Sequence, residues 1–378
     1  MARREHQGQQ DHRAASQGAP PELRGDSGSH ALISTENSAG TTLSFAPNWR
    51  GSYANATTPR LADPVTLQHI GGETMGTTWS VRFGNPQMIG LDAVRASAAH
   101  ALDRVIAQMS HWRADSDLSR YNQAAAGSVH ALAPEFTAVL RCAVQWAEAS
   151  DGALDPTVGP LVALWGFGPD AVASAHAPDL RALHLARAAG GWRQLRFNAA
   201  AATLEQPGGL TLDFSGIAKG FAVDHVVDSL KALGLVDLLV EVGGELRGVG
   251  HRPGGTPWTV QVAAPDDSVG ASPPIALTDL AIATSGDRWH QRESAGRRWS
   301  HTIDPRTGEP VAHGLASVSV LHAECMHADA LATVLTVLGP TKGLPFANAH
   351  GVAALFFERT PQGLQASASR GWHERVHA

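Results

Sequence analysis

Between Leu210 and Val242 the chain switches from strand-like to helical periodicity and back, and this switch restricts the folds open to it. Leu210-Thr211-Leu212-Asp213-Phe214 reads as a strand running into a glycine-rich turn, Ser215-Gly216-Ile217-Ala218-Lys219-Gly220. The helix that follows carries Phe221, Val223, Val226, Val227, Leu230 and Leu233 on one side, and Gly234 is placed to end it. Leu238 to Val242 then reads as a buried strand closed by Gly243-Gly244. A helix with one apolar stripe between strands must lay that stripe on a sheet. Other strands fit Thr78 to Phe83, Trp258 to Val262, Ala281 to Ala283, Ala316 to Leu321 and Val352 to Phe357. Helices fit Leu91 to Met109, Phe136 to Ala149 and Ala328 to Leu338, the last closed by Gly339-Pro340. The stretch from about 171 to 189 is weakly patterned, helical only after Pro178, and peripheral. No strict βαβ rhythm joins these elements, which predicts an α+β fold rather than a doubly wound sheet.

A formal net charge of −6, with only 17% charged residues, gives no basic surface for nucleic acid. Cys142 and Cys325 lie far apart, which excludes a zinc ribbon or a disulfide framework and leaves a single bridge open. The sequence shows no apolar run near the roughly 18 residues of a membrane helix, which predicts a soluble chain. Residues 1–48, rich in Gln, Ser, Gly, Arg and Ala, read as a disordered leader, with order beginning near Thr66. Arg3 and Arg4 give a basic start, but the apolar stretch of a secretory signal does not follow. The expectation is a cytoplasmic protein or a true start different from Met1.

Four short stretches carry chemistry-bearing residues. Asp213 to Gly220 offers glycines for close backbone approach, free N–H groups at a helix start, and a lysine suited to phosphate. Lysine is scarce, with only Lys219, Lys231 and Lys342, although such a turn also reads as an ordinary strand–helix connection. Asp329 and Thr333, four apart on one helix face, are hard oxygen donors suited to Mg²⁺; they equally suit a helix start and a hydroxyl bonded to its own backbone. His301 precedes the firm turn Asp304-Pro305-Arg306-Thr307-Gly308 and can serve as a general base, or as one structural histidine among 19. Asp151 to Leu161 is a rigid loop that also reads as a buried turn.

In this order the stretches closely resemble the ApbE family of FAD:protein FMN transferases. The matching blocks are Met75-Gly-Thr, Met109-Ser-His-Trp-Arg-Ala-Asp-Ser-Asp-Leu-Ser-Arg-Tyr-Asn122, Leu154 to Leu161, Asp213 to Gly220 and Val242-Gly-Gly-Glu245. They continue with Ala283 to Asp287, Ser300 to Gly308 and Ala328 to Thr333, so the resemblance runs from about Ile70 to about Trp372. It implies an α+β, T-fold-related single unit with internal pseudo-symmetry over residues 66–373, and FAD held in a cleft. By position, Met75, Trp112, Ala153, Leu154, Asp155, Asp213, Lys219 and Ile303 resemble the family's FAD contacts. The backbone carbonyl of Gly216, with Asp329 and Thr333, resembles its metal ligands, and His301 its base.

The reaction this implies moves FMN from FAD, the substrate, to a Thr or Ser hydroxyl of a partner flavoprotein, with Mg²⁺ as cofactor and AMP released. The resemblance also implies an acceptor in a membrane redox complex. Family members are commonly lipoproteins or periplasmic, whereas no lipobox or signal is seen here. Two other readings use the same cleft: an FAD pyrophosphatase, in which water attacks, and a non-catalytic flavin carrier. A carrier has no need of a metal-plus-base set.

Overall fold

Met75 and Gly76, with φ of 50° and 71°, turn strand β1 (Gln68–Thr74) back on β2 (Thr77–Phe83). Two successive positive φ values match the right-handed twist of a hairpin. The device recurs at Gly243 and Gly244, φ 59° and 100°, between β3 (Leu238–Val242) and β4 (Glu245–Val249). These strands belong to a computed structural model that describes residues 66–376, apart from 170, 172–175, 263, 266–271, 287–290 and 295–296, and two short strands nearer the N-terminus.

Beyond β4 come β5 (Leu280–Gly286), β6 (Leu315–His322), β7 (Ala353–Thr360) and β8 (Gly363–Ala368). All eight form one sheet in chain order, each antiparallel to the next. Helices α3 (Ala218–Ala232) and α4 (Cys325–Ala349) cover one face. Outside them, α1 (Leu91–Met109) packs on α3 and α2 (Pro134–Ala149) on α4. Val240 faces the helices in a core with Phe83, Val227 and Leu335, while its neighbour Leu239 faces a second core with Trp258 and Ile282. Burial on both faces is why β3 is apolar at every position but Glu241.

The α+β expectation holds. Three local readings are corrected. Leu210 to Phe214 joins no sheet: Gln206 Oε1 accepts from Leu210 N–H, Asn122 Oδ1 accepts from Leu212 N–H, and Pro156 O accepts from Asp213 N–H. Side-chain amides there replace the neighbouring strand. The helix expected over Ala328–Leu338 begins three residues earlier, at Cys325, and breaks as expected at Gly339 (φ 66°, ψ 174°), but a further helical stretch that was not expected runs on through Pro340 to Ala349. By length and composition α4 could cross a membrane, contrary to the reading of the sequence, but it packs on the sheet and on α3. Cys142 and Cys325 are both free and buried, so the bridge left open is not formed.

The expected leader, residues 1–48, lies outside the described residues except for Ile33–Glu36 and Thr42–Leu43. Ile33–Glu36 runs antiparallel to Thr259–Val262.

Candidate functional site

The start of α3 and the first turns of α4 run antiparallel in contact, and glycine makes that contact possible. A Cβ on Gly220 would sit 2.4 Å from Cys325 O and 2.7 Å from Asp329 Cβ. A Cβ on Gly216 would sit 2.7 Å from Thr333 Oγ1. With those atoms missing, Thr333 Oγ1 donates to Gly216 O at 3.3 Å, and Gly220 N–H donates to Asp329 Oδ2 at 2.9 Å. The Gly216 carbonyl therefore meets the Thr333 hydroxyl one turn from the Asp329 carboxylate, although Gly216 lies more than a hundred positions from both.

Above this junction opens a cleft of about 790 Å³. Every residue singled out from the sequence lines it. Gly216, Lys219, Asp329 and Thr333 come from the two helices, and Asp213 from the segment before α3. Met75 comes from the β1–β2 turn, Trp112 from just beyond α1, Ala153, Leu154 and Asp155 from the 151–161 loop, and His301 and Ile303 from the segment before the Asp304–Gly308 turn.

That segment is anchored from below. Arg306 makes a two-pronged pair with Asp304, at 2.8 and 2.7 Å, and Trp165 Nε1–H donates to Gly308 O at 2.7 Å. Trp165 also meets Trp299 edge-on at 5.9 Å between ring centroids, and Phe167 meets His301 edge-on at 6.4 Å. His301 therefore stands on an aromatic wall at the cleft margin.

Asp155 is occupied by its own surroundings. Its Oδ1 accepts from Thr157 N–H at 2.8 Å and Thr157 Oγ1–H at 2.6 Å, and its Oδ2 accepts from Trp192 N–H at 3.0 Å. Asp213 Oδ1 likewise accepts from Ser215 N–H at 2.7 Å, which shapes the glycine turn. Trp112, in contrast, is 69% exposed and presents its ring to the cleft mouth.

Glu245, at the start of β4, received no role from the sequence. Its signal was present: an acid directly after Gly243-Gly244, where a buried strand begins. Lys219 Nζ donates to Glu245 Oε1 at 2.5 Å, while Oε2 is buried and unpaired. Burial pushes the Glu245 carboxyl up to about 8; Lys219 pulls it down and the charge of Asp329 adds to the rise. Burial likewise raises Asp329, against the pull of Lys219 and the Gly220 N–H bond. Burial disfavours the Lys219 ammonium, but Glu245 and Asp329 outweigh it and hold the ammonium above its usual range. One ammonium thus faces two buried carboxyls, both of which burial biases toward the protonated form.

Among the described residues no group of three or more His, Cys, Asp and Glu side chains is arranged to hold a metal. The mixed oxygen set of Gly216, Asp329 and Thr333 is the candidate that remains, and its hard donors suit Mg²⁺.

Comparison with known proteins gives a consistent picture. A model of the ApbE family matches residues 75–356. The chain is 38% identical over 308 residues to the FAD:protein FMN transferase of Vibrio cholerae, covering 81% of this chain and 92% of that protein. It is 36% identical over 307 residues to that of Haemophilus influenzae, covering 79% and 89%. The apo form of the flavinyl transferase ApbE of Pseudomonas stutzeri matches with a TM-score of 0.76 at 36% identity, covering 83% of this chain and 98% of that one. The ApbE protein of Thermotoga maritima matches at 0.72 and 25% identity, covering 82% and 99%.

Proposed function

The chain belongs to the ApbE family and is an FAD:protein FMN transferase that flavinylates a target protein from FAD, and we propose that it works with Mg²⁺ bound by Gly216 O, Asp329 and Thr333. The observation that carries this reading is the placement of those three hard oxygen donors together on the wall of the cleft. When bound, Mg²⁺ supplies positive charge to the FAD pyrophosphate and so eases departure of AMP.

The protein's own groups do the rest. Lys219 adds a second positive charge next to the phosphates. Met75, Trp112, Ala153, Leu154, Asp155, Asp213 and Ile303 hold the flavin nucleotide along the cleft. The exposed Trp112 ring gives a stacking face, and the Asp155 and Asp213 carboxylates act by fixing the loops that carry them. His301 accepts the proton of the acceptor Thr or Ser hydroxyl as its oxygen bonds to the FMN phosphorus. The P–O bond to the AMP phosphate breaks, and AMP leaves with that electron pair. Positioning and charge stabilisation account for most of the rate, because phosphoryl transfer needs little covalent help.

The acceptor is a flavoprotein bearing a Thr/Ser motif, within a membrane redox complex. Each half of the sheet holds two antiparallel strand pairs with a sheet-packed helix between them in sequence (β1–β2, α3, β3–β4, then β5–β6, α4, β7–β8), the first half carrying α1 and α2 as well, which supports one unit with internal pseudo-symmetry.

The test is to incubate the protein with FAD, Mg²⁺ and an acceptor domain carrying the motif, and to follow both proteins by mass spectrometry. The expected result is an FMN adduct on the acceptor hydroxyl, lost when Mg²⁺ is chelated. An adduct that forms equally well in chelator would remove the metal from the mechanism.

A further inference from the structure

Helices α3 and α4 meet in three rungs, only two of which belong to the site. Gly216 O meets Thr333 Oγ1, and Gly220 N–H meets Asp329 Oδ2. One turn further along α3, Asp224 reaches the first turn of α4. Its Oδ1 accepts from Cys325 N–H at 2.9 Å and its Oδ2 from Met326 N–H at 2.8 Å. Residues 216, 220 and 224 thus face 333, 329 and 325, in steps of four along antiparallel segments.

The third rung substitutes for something α4 lacks. The residue preceding it, Glu324, makes no side-chain capping bond, so the first N–H groups of α4 are satisfied from the neighbouring helix instead. Arg247 on β4 holds the capping carboxylate, with Nη1–H donating to Asp224 Oδ1 at 2.7 Å. Both groups are largely enclosed, with side-chain exposures of 10% for Asp224 and 18% for Arg247. Burial pushes the Asp224 carboxyl up to about 6, while Arg247 and the two amides pull it down.

We infer that Asp224, held by Arg247, is a positioning residue for metal binding: it fixes the axial register of α4 against α3, and thereby the distance from Asp329 and Thr333 to Gly216 O. The inference rests on the proposed Mg²⁺ set. Its physical basis is that groups behind the ligands set their geometry, and altering such groups typically weakens metal binding about 10- to 100-fold. Asp224 does not line the cleft, so its effect should be confined to metal affinity.

The experiment titrates Mg²⁺ into the full-length protein by calorimetry, with amide hydrogen exchange at Cys325 and Met326 measured in parallel. Asp224→Asn leaves a single acceptor oxygen for two amides. It is expected to weaken Mg²⁺ binding about tenfold or more and to speed exchange at one or both amides. Transfer at saturating Mg²⁺ should stay within about threefold of the native rate, because the ligands themselves are intact. Arg247→Lys should largely retain affinity and Arg247→Met should lose it, a split that general loss of packing does not give. A folded Asp224→Asn with native Mg²⁺ affinity overturns the inference. If that variant does not fold, native affinity in Arg247→Met overturns it. Asp329→Asn separates the two levels: native Mg²⁺ affinity in that variant sinks the metal assignment itself. Lost affinity there, beside native affinity in Asp224→Asn, sinks only the positioning role.

Discussion

Lys219 Nζ and Glu245 Oε1 stand 2.5 Å apart at the floor of the cleft, with the second Glu245 oxygen buried and unpaired. Removing the ammonium should leave a carboxyl that tolerates burial only when protonated. Its folded pKa, about 8 mainly through burial, already lies above the ordinary carboxylate range, and loss of Lys219 raises it further. The stabilisation of a group raised in this way is complete below its unfolded pKa and is lost as pH rises through the folded one. The destabilisation caused by Lys219→Met should therefore be small at pH 6, where Glu245 is protonated with or without the lysine, and larger by about 1–2 kcal/mol at pH 9.5, where only the native pair holds the ionised carboxyl. Urea denaturation at the two pH values checks this; equal losses at both would mean that Glu245 does not titrate as described.

Gly220 offers a case in which helix propensity and packing disagree. Alanine in a helix is favoured over glycine by about 1 kcal/mol. Here its Cβ would lie 2.4 Å from the Cys325 carbonyl oxygen, a backbone atom that cannot swing aside. Gly220→Ala should destabilise the fold by about 1–3 kcal/mol through overpacking and weaken metal-dependent transfer by parting Asp329 from Gly216. A higher melting temperature in the variant would contradict this account of the α3–α4 contact.

Trp112 and Asp155 were assigned the same task from the sequence, yet their surroundings differ. Trp112→Ala removes a ring that is 69% exposed, so stability should hold while KM for FAD rises about two- to tenfold. Asp155→Ala strands the Thr157 and Trp192 donors and should cost about 1–3 kcal/mol of stability, with KM rising through the displaced loop. Melting curves and FAD saturation curves measured together separate the two roles; a Trp112 variant that unfolds early would contradict its reading as a free stacking face.

The strands and helices that place the site were legible because each buries a regular face: α1 lies where its spacing predicts, and β3 reads as apolar because two cores claim it. Leu210 to Phe214 alternated correctly and still formed no sheet, since Asn122 and Gln206 side chains meet its amides and no local pattern announces such partners. The site residues were legible one at a time from the family-like blocks. Their convergence was not, because it depends on where a missing Cβ at Gly216 and Gly220 lets two helices meet. Glu245 and Asp224 escaped notice for a related reason: an acid in a strand or helix gains a role only from what tertiary packing sets against it.

His301 makes the last prediction, because its position separates chemistry from binding. It lies at the cleft margin against Phe167, on a turn pinned by Asp304, Arg306 and Trp165 rather than by the flavin contacts. Removing its ring should leave that support standing. A general base contributes about 10²- to 10⁴-fold, so His301→Ala should lower kcat by that order. KM for FAD and the Mg²⁺ concentration for half-maximal rate should stay near native values. Added imidazole should restore part of the rate by occupying the vacated space and taking the acceptor proton. Asp329→Ala should show the opposite signature, with metal-dependent transfer abolished and imidazole without effect. A His301→Ala enzyme with raised KM, little loss of kcat and no response to imidazole would make the histidine a binding group and move the base elsewhere.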